Sequence, residues 1–309
     1  MGGLPLSARR HASVWMVGSY DPELNLVYWG TGNPGPDYNG EVRMGDNLYA
    51  DSALALDGDT GELKWYFQFT PHDVHDWDAI QVPILADLDV EGEQRKVMMW
   101  ANRNGFYYTL DRVTGEFLVG QPFALQTWAE GLDENGRPIR APNMFPSLDG
   151  KLVSPPAQGA TNWMSPAYSP RTGLFYVMAF DSAALFFIRD EDYVEGDRFI
   201  GGGQGITEPM DDHISAVRAI DPLTGARRWE YRVQPYTVSG LLTTAGDLVF
   251  GGSTDGYVYA LDAVSGRELW HITVGAQVRA GPMTYAVNGE QYVTIAAGNV
   301  VYTFGLDED

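Results

Sequence analysis

The segment Ala55-Leu-Asp-Gly-Asp-Thr-Gly-Glu-Leu-Lys-Trp65 decides the fold, because its pattern recurs along the chain. The pattern is Ala-x-Asp-x-x-Thr/Ser-Gly-x-x-x-Trp, and complete copies occupy Ala219–Trp229 and Ala260–Trp270. A fourth, degraded copy at Thr109–Val119 keeps the Asp, Thr and Gly but has valine in place of the tryptophan. Repeats at such intervals are typical of propellers or solenoids, in which each copy marks one structural unit.

The repeat also predicts local structure. Phe106–Asp111 and Tyr257–Asp262 each follow an apolar run and a turn that ends in glycine. This order indicates a hairpin, then a tight Asp-x-x-Thr/Ser-Gly turn and a further strand. The Asp can accept bonds from turn amides, and the Gly can adopt a positive φ. We expect the tryptophan to pack on a neighbouring unit, which gives an all-β fold, a β-propeller with tryptophan-docking repeats.

Composition narrows the classes of function. The chain has 309 residues, 44% of them hydrophobic, which is enough for one all-β unit, and we expect residues 1–309 to form a single domain. A net charge of −21 argues against nucleic acid and anionic membranes as partners. No apolar run is long enough to span a membrane. Cysteine is absent, which excludes disulfides, thiolate metal sites and a C-x-x-C-H haem attachment within this sequence.

Four further motifs occur in a fixed order, namely Trp29–Pro36, Gly45–Tyr49, Thr70–Asp78 and Ala101–Phe106. With the repeats, these motifs resemble the pyrroloquinoline quinone (PQQ)-dependent alcohol dehydrogenases, the quinoprotein methanol and ethanol dehydrogenase family. The resemblance implies an eight-bladed propeller that holds PQQ and a metal ion on its axis. It also implies oxidation of a primary alcohol to an aldehyde in the periplasm, with electrons passed to a separate cytochrome c.

Three residues match the family's catalytic and cofactor-binding positions. Trp15 corresponds to the tryptophan beneath the flat quinone, and a large aromatic face suits stacking on a planar ring. Asp76 corresponds to the base that takes the alcohol's hydroxyl proton. Arg103 corresponds to the cation that binds the quinone oxygens and stabilises the charge that develops on them. Without the family context, these would be a core tryptophan, a solvated carboxylate and an exposed turn residue.

The predicted metal ligands are Asn33, Asp76 and Asp78, all of which offer hard oxygen donors suited to Ca²⁺ or a lanthanide. Asp78 favours the lanthanide, because family members that use one carry this second Asp. In an extended segment, residues two apart point the same way, so Asp76 and Asp78 could reach one ion. A zinc site at His72 and His75 is not expected, because no third histidine lies nearby in the sequence.

The sequence also departs from the family. A glutamate ligand, an adjacent cysteine pair and the first blades lie upstream of the Trp15 motif in the family, and this chain has no counterpart to them. We therefore expect a carboxy-terminal portion with the amino-terminal blades missing. A non-catalytic scaffold propeller and a truncated, inactive quinoprotein remain alternatives. Neither the alcohol nor the oligomeric state follows from the sequence.

Overall fold

The computed structural model describes residues 12–90, 92–209 and 214–306, and nearly all of the regular structure in these ranges is β-strand. They contain twenty-four strands, β1 to β24, and a short 3-10 helix at Gly40–Val42. The prediction of an all-β fold is confirmed. No helix in the described ranges is both long and apolar enough to cross a lipid bilayer.

The chain divides into two compact units, the first built mainly from residues before 164 and from the segment that begins at Asp181. Its two four-stranded antiparallel sheets have the simple order of propeller blades, each strand pairing with the next along the chain. A two-stranded hairpin and a three-stranded sheet of order β11-β14-β15 complete the unit. The strands are β1 (Ser19–Asp21), β2 (Leu26–Gly30), β3 (Ser52–Asp57), β4 (Leu63–Gln68), β5 (Ile84–Val90), β6 (Glu93–Ala101), β7 (Phe106–Asp111), β8 (Phe117–Pro122), β9 (Ala129–Leu132), β10 (Pro138–Arg140), β11 (Lys151–Val153), β14 (Ser182–Ile188) and β15 (Gly202–Pro209).

The second unit contains three antiparallel sheets, two of four strands and one of three. The sheet orders are β12-β13-β16-β17, β18-β19-β20-β21 and β22-β23-β24. The strands are β12 (Ala167–Ser169), β13 (Leu174–Phe180), β16 (Ser215–Ile220), β17 (Arg227–Val233), β18 (Leu242–Thr243), β19 (Leu248–Gly252), β20 (Tyr257–Asp262), β21 (Glu268–Thr273), β22 (Met283–Val287), β23 (Glu290–Ala297) and β24 (Val300–Gly305).

The repeat forms the turn that its composition predicts. The Asp57 carboxylate accepts bonds from the backbone N–H of Asp59 at 3.1 Å and of Thr60 at 2.9 Å. Gly61 adopts a φ of +71° and donates its N–H to the Asp57 carbonyl at 2.8 Å. The register shifts between Ala55 and the next residue, so Ala55 lies opposite Trp65. The other three copies pair their first and last residues in the same way, which makes the turn a common element of all four.

The repeat tryptophans pack on the turn glycine of the following copy. A Cβ on Gly115 would lie 2.7 Å from the Trp65 ring, and a Cβ on Gly266 would lie 2.5 Å from the Trp229 ring. The Trp229 indole also donates to the Ala263 carbonyl at 3.0 Å. The predicted packing on a neighbouring unit is confirmed for these two copies. It links consecutive blades, because each ring fills the place where a side chain would otherwise stand.

Buried tryptophans anchor the loops around the candidate site in the first unit. The indole N–H of Trp77 donates to the Pro156 carbonyl at 2.9 Å, and that of Trp128 donates to the Asn104 carbonyl at 2.7 Å. Both rings are at most 1% exposed, and their centroids lie 5.1 Å apart. The loop from Thr70 to Gln81 and the turn between β6 and β7 are therefore fixed by the same aromatic core.

We expect Gly115→Ala to destabilise the protein more than Gly61→Ala. Both glycines have positive φ in equivalent turns, but nothing lies within 4 Å of a Cβ on Gly61, whereas Gly115 is covered by Trp65. The alanine side chain should strain the backbone equally in both turns. In Gly115→Ala, overpacking against the Trp65 ring should add roughly 1–3 kcal/mol to the loss of stability. Urea unfolding of the two variants measures the difference. Equal losses would contradict the tryptophan contact.

Candidate functional site

Asp78 connects three of the other residues predicted for the site. Its Oδ1 accepts the backbone N–H of Asn33 at 2.7 Å. Its Oδ2 accepts the indole N–H of Trp15 at 3.1 Å and Nη1 of Arg103 at 2.7 Å. The carboxylate is only 7% exposed, so each of these bonds is made largely out of water. Segments that are far apart in the sequence therefore converge on one buried carboxylate.

Arg103 occupies the tip of the hairpin between β6 and β7. The turn is closed by the Gly105 N–H, which donates to the Asn102 carbonyl at 3.1 Å. Charged residues at hairpin tips are usually exposed, but Arg103 is only 5% exposed. Its Nη2 donates to the Ala157 carbonyl, while its Nε is buried without a partner in the described part of the chain. The guanidinium is thus held in place with one donor still available.

Asp76 lies in a left-handed backbone conformation with a φ of +65°. The alternation expected of an extended segment therefore does not apply here, and Asp76 and Asp78 have different partners. The Tyr38 hydroxyl lies 3.5 Å from Asp76 Oδ2. Burial raises the pKa of Asp76 to about 8, with Arg103 opposing the shift and Asp78 adding to it. In this environment the carboxyl holds its proton near neutral pH.

Gly32 and Asn33 lie directly beside the Asp78 carboxylate. A Cβ on Gly32 would lie 2.4 Å from Asp78 Oδ1, so only glycine lets the chain approach the carboxylate this closely. The Asn33 side chain is half-buried, and its Nδ2 is enclosed without a hydrogen-bond partner from residues 12–90, 92–209 or 214–306. Its carboxamide is therefore not committed to holding the loop together.

Trp15 presents a ring that is 45% exposed, while its indole N–H is fixed by Asp78. A tryptophan buried in a blade core would be covered on both faces. Here the bond to Asp78 sets the orientation of the ring, and much of its surface stays accessible. This is the arrangement that a stacking platform for a planar ligand requires.

Two further residues near the site, Tyr38 and Asp51, were not predicted from the sequence. Tyr38 is 7% exposed, and its ring packs against Phe186 at a centroid distance of 6.1 Å. Asp51 is fully buried, and neither of its carboxylate oxygens has a hydrogen-bond partner among the residues that the structure describes. An Asp just before a strand is unremarkable in sequence, so only the fold identifies it.

The two histidines of the same loop make ordinary structural contacts. His72 Nδ1 lies 2.7 Å from the Gly45 carbonyl. His75 is fully buried, stacks on Trp77 at 4.3 Å and places Nε2 3.0 Å from the Met144 carbonyl. Both rings thus help to hold the loop that carries Asp76 and Asp78.

Several buried polar atoms at the site lack a partner within the described ranges, and such atoms are exceptional in folded proteins. They belong to Asn33, Asp51 and Arg103. In the same ranges no three His, Cys, Asp or Glu side chains lie close enough to hold a metal ion by themselves. A cation here would need the amide oxygen of Asn33 and further donors from a cofactor. Unused donors and acceptors beside an open aromatic face fit a planar, oxygen-rich ligand with a cation.

Comparisons with known proteins identify the family to which the chain is similar. The sequence profile of the PQQ glucose/ethanol/alcohol dehydrogenase β-propeller domain matches residues 6–121 and 232–293. The quinoprotein alcohol dehydrogenase PedH of Pseudomonas putida is 41% identical over 93% of this chain and 49% of its own length. A putative dehydrogenase, XoxF, of Paracoccus denitrificans is 35% identical over 93% of this chain and 50% of its own length.

Solved structures give the same result. A europium-containing methanol dehydrogenase superposes with a TM-score of 0.86 at 34% identity, over 92% of this chain and 51% of that protein. This chain therefore spans about half the length of the relatives it matches. The profile match covers more than half of the residues, and the fold agrees along nearly the whole sequence. The chain belongs to the PQQ glucose/ethanol/alcohol dehydrogenase family, whose β-propeller domain it shares.

Proposed function

We propose that this chain is part of a PQQ- and metal-dependent alcohol dehydrogenase that oxidises a primary alcohol to an aldehyde. The enzyme would act in the periplasm and pass its electrons to a cytochrome c. The observation that carries the proposal is the convergence of Trp15, Asn33 and Arg103 on Asp78, with Asp76 beside them. A scaffold propeller has no need to bury this combination of charges at one place.

The cofactor would be held by Trp15 and Arg103. PQQ, when bound, supplies the two-electron acceptor for the hydrogen that leaves the alcohol carbon. Trp15 offers an exposed ring face whose orientation is set by its bond to Asp78. Arg103 offers a buried positive charge and an unused Nε donor. Their interactions with a bound anionic oxygen would be strengthened by the exclusion of water. These two residues would orient the ring and stabilise negative charge on its oxygens.

Asp76 would take the hydroxyl proton of the alcohol. A base must be ionised before it can accept a proton, and in the metal-free chain burial and the neighbouring carboxylates together raise the pKa of Asp76 to about 8. The positive charge of Arg103 favours the ionised form, and a metal ion beside the carboxylate would favour it further. The Tyr38 hydroxyl, 3.5 Å away, lies at the long limit of a hydrogen bond to the same carboxylate.

The cation would be bound by Asn33, Asp76 and Asp78. Amide and carboxylate oxygens suit hard ions, and a second carboxylate gains more from a trivalent than from a divalent one. Asp78 is paired with Arg103 at 2.7 Å, so an ion would share this carboxylate with the arginine. We propose a lanthanide as the preferred ion and Ca²⁺ as the weaker one.

The first test is a titration of the purified chain with PQQ, followed by quenching of tryptophan fluorescence, with La³⁺, Ca²⁺ or neither. We expect quenching that requires a metal ion and is tighter with La³⁺, because Trp15 stacks on the ring and the carboxylates need a counter-ion. Trp15→Ala should abolish most of the quenching, whereas Trp270→Ala, a partly exposed repeat tryptophan in the second unit, should not. Absence of binding under all conditions would favour a chain that is inactive by itself.

Asp78→Asn should weaken binding of La³⁺ by about tenfold or more and binding of Ca²⁺ by less, because the lost charge interacts more strongly with a trivalent ion. Asn keeps an oxygen for the Asn33 N–H but leaves the buried charge of Arg103 unpaired, so a urea unfolding curve checks that the variant still folds. Isothermal titration with each ion measures the two affinities. Equal losses for both ions would argue against a role for Asp78 in selecting the metal.

Asp76→Asn should stabilise the metal-free chain, and the gain should grow as the pH rises from about 5 to 8. In the wild type the folded state keeps the Asp76 proton up to about pH 8, whereas the unfolded chain loses it near the ordinary value of 3.8. Stability of the wild type therefore falls with pH in this window, by at most about 1.4 kcal/mol per pH unit. Urea unfolding in a chelator checks this, and a gain that does not change with pH would contradict it.

A further inference from the structure

Asp51 is a buried carboxylate that the proposed reaction does not use. It is 0% exposed, and neither Oδ1 nor Oδ2 has a hydrogen-bond partner in the described part of the chain. A buried charge without partners is costly, so proteins pair it, protonate it or place it beside a metal ion. Asp73, the other fully buried carboxylate nearby, differs because its oxygens accept the N–H groups of His75 and Trp77 at 2.9 and 2.8 Å. Asp51 therefore lacks the hydrogen-bond donors that stabilise the carboxylate of Asp73.

The backbone places Asp51 directly behind the proposed metal ligands. Its N–H donates to the Gly32 carbonyl at 3.0 Å, and its own carbonyl accepts the Phe69 N–H at 2.8 Å. Gly32 precedes Asn33, and Asp78 Oδ1 lies where a Cβ on Gly32 would stand, within 2.4 Å of that position. A left-handed φ of +50° holds Asp51 in this position. Left-handed non-glycine residues concentrate at functional sites, where the surrounding structure fixes them.

The surrounding charges also place Asp51 in the site. Burial raises the pKa of its carboxyl well above the usual value, and the carboxylates of Asp73 and Asp78 raise it further. Arg43 and Arg103 oppose the shift, but neither is bonded to Asp51. Arg43 donates to backbone carbonyls and to Asn47, and Arg103 pairs with Asp78. The bonds of both arginines that the structure shows therefore go to other groups, and Asp51 has no hydrogen-bonded counter-charge among the described residues.

We propose that Asp51 is an additional anionic group of the cation site, placed behind Asn33 and Asp78, where it favours a trivalent over a divalent ion. The inference rests on the proposed function and adds a residue to it. Asp51 would not need to touch the ion, since a charge in a water-excluded region acts over several ångströms. It would neutralise part of the extra charge that a lanthanide brings compared with Ca²⁺.

The test compares ion affinities of the full chain and of Asp51→Asn, which keeps the shape of the side chain and removes its charge. Tryptophan-sensitised Tb³⁺ luminescence reports binding directly, and competition with La³⁺ and Ca²⁺ gives both affinities without any enzyme assay. We expect losses of about 30-fold for La³⁺ and about tenfold for Ca²⁺, since the Coulomb energy with one negative charge scales with the ion's charge.

The matched control is Asp46→Asn, which removes the same charge from a half-exposed side chain paired with Arg137. It should change neither affinity by more than about twofold, because solvent screens exposed charges. Asp51→Ser provides a second variant, and its losses should equal those of Asp51→Asn if the charge is what matters. Urea midpoints in chelator confirm that both variants fold.

The outcomes separate this inference from the proposed function. Unchanged affinities in both Asp51 variants, with tight La³⁺ binding by the wild type, would leave the proposed function standing and identify Asp51 as a protonated structural residue. Equal losses in Asp46→Asn would reduce the effect to net charge and overturn the inference as well. A wild-type chain that binds neither ion would overturn both proposals.

Discussion

The candidate site depends on one buried carboxylate that accepts three donors from three parts of the chain. Asp78 fixes the Asn33 backbone, the Trp15 indole and the Arg103 guanidinium at the same time. No other single contact in the described ranges joins so many of the predicted site residues. The positions of the aromatic face, the amide and the cation are therefore coupled, and a change at Asp78 is transmitted to all three.

The Asp78–Arg103 pair organises the site more than it stabilises the fold. Both side chains are almost completely buried, and the desolvation of two charges offsets most of the attraction between them. Removing one partner would leave the other unpaired, which is far more costly than the pair is favourable. A pair of this kind is well suited to a site that also binds ions, because an added cation can share the carboxylate without unfolding its surroundings. The fold itself is stabilised elsewhere, by aromatic packing.

The site has more carboxylates than guanidinium groups. Four carboxylates, Asp51, Asp73, Asp76 and Asp78, lie near the guanidinium groups of Arg43 and Arg103. Burial raises the pKa of Asp51, Asp73 and Asp76 and so favours their protonated forms. A positive charge added beside them would favour the ionised forms instead. The aromatic core excludes water from this region, which strengthens the electrostatic interactions between these charges. The metal-free site is therefore in a less favourable electrostatic state than the blades around it.

The sequence by itself determined the blades. The Asp-x-x-Thr/Ser-Gly turn is local chemistry, in which one side chain bonds amides two and three residues on, so its four copies form as predicted. Site residues that stand in distinctive motifs, such as Arg103 in Asn-Arg-Asn-Gly, could also be named in advance. The tertiary structure decided what these residues touch. Asp76 has a left-handed backbone conformation where the sequence predicted an extended segment, and Arg103 is buried although it lies at a hairpin tip. Asp51 is buried, and its carboxylate has no hydrogen-bond partner in the described ranges. Those outcomes depend on contacts between residues far apart in the chain, and no local pattern encodes such contacts.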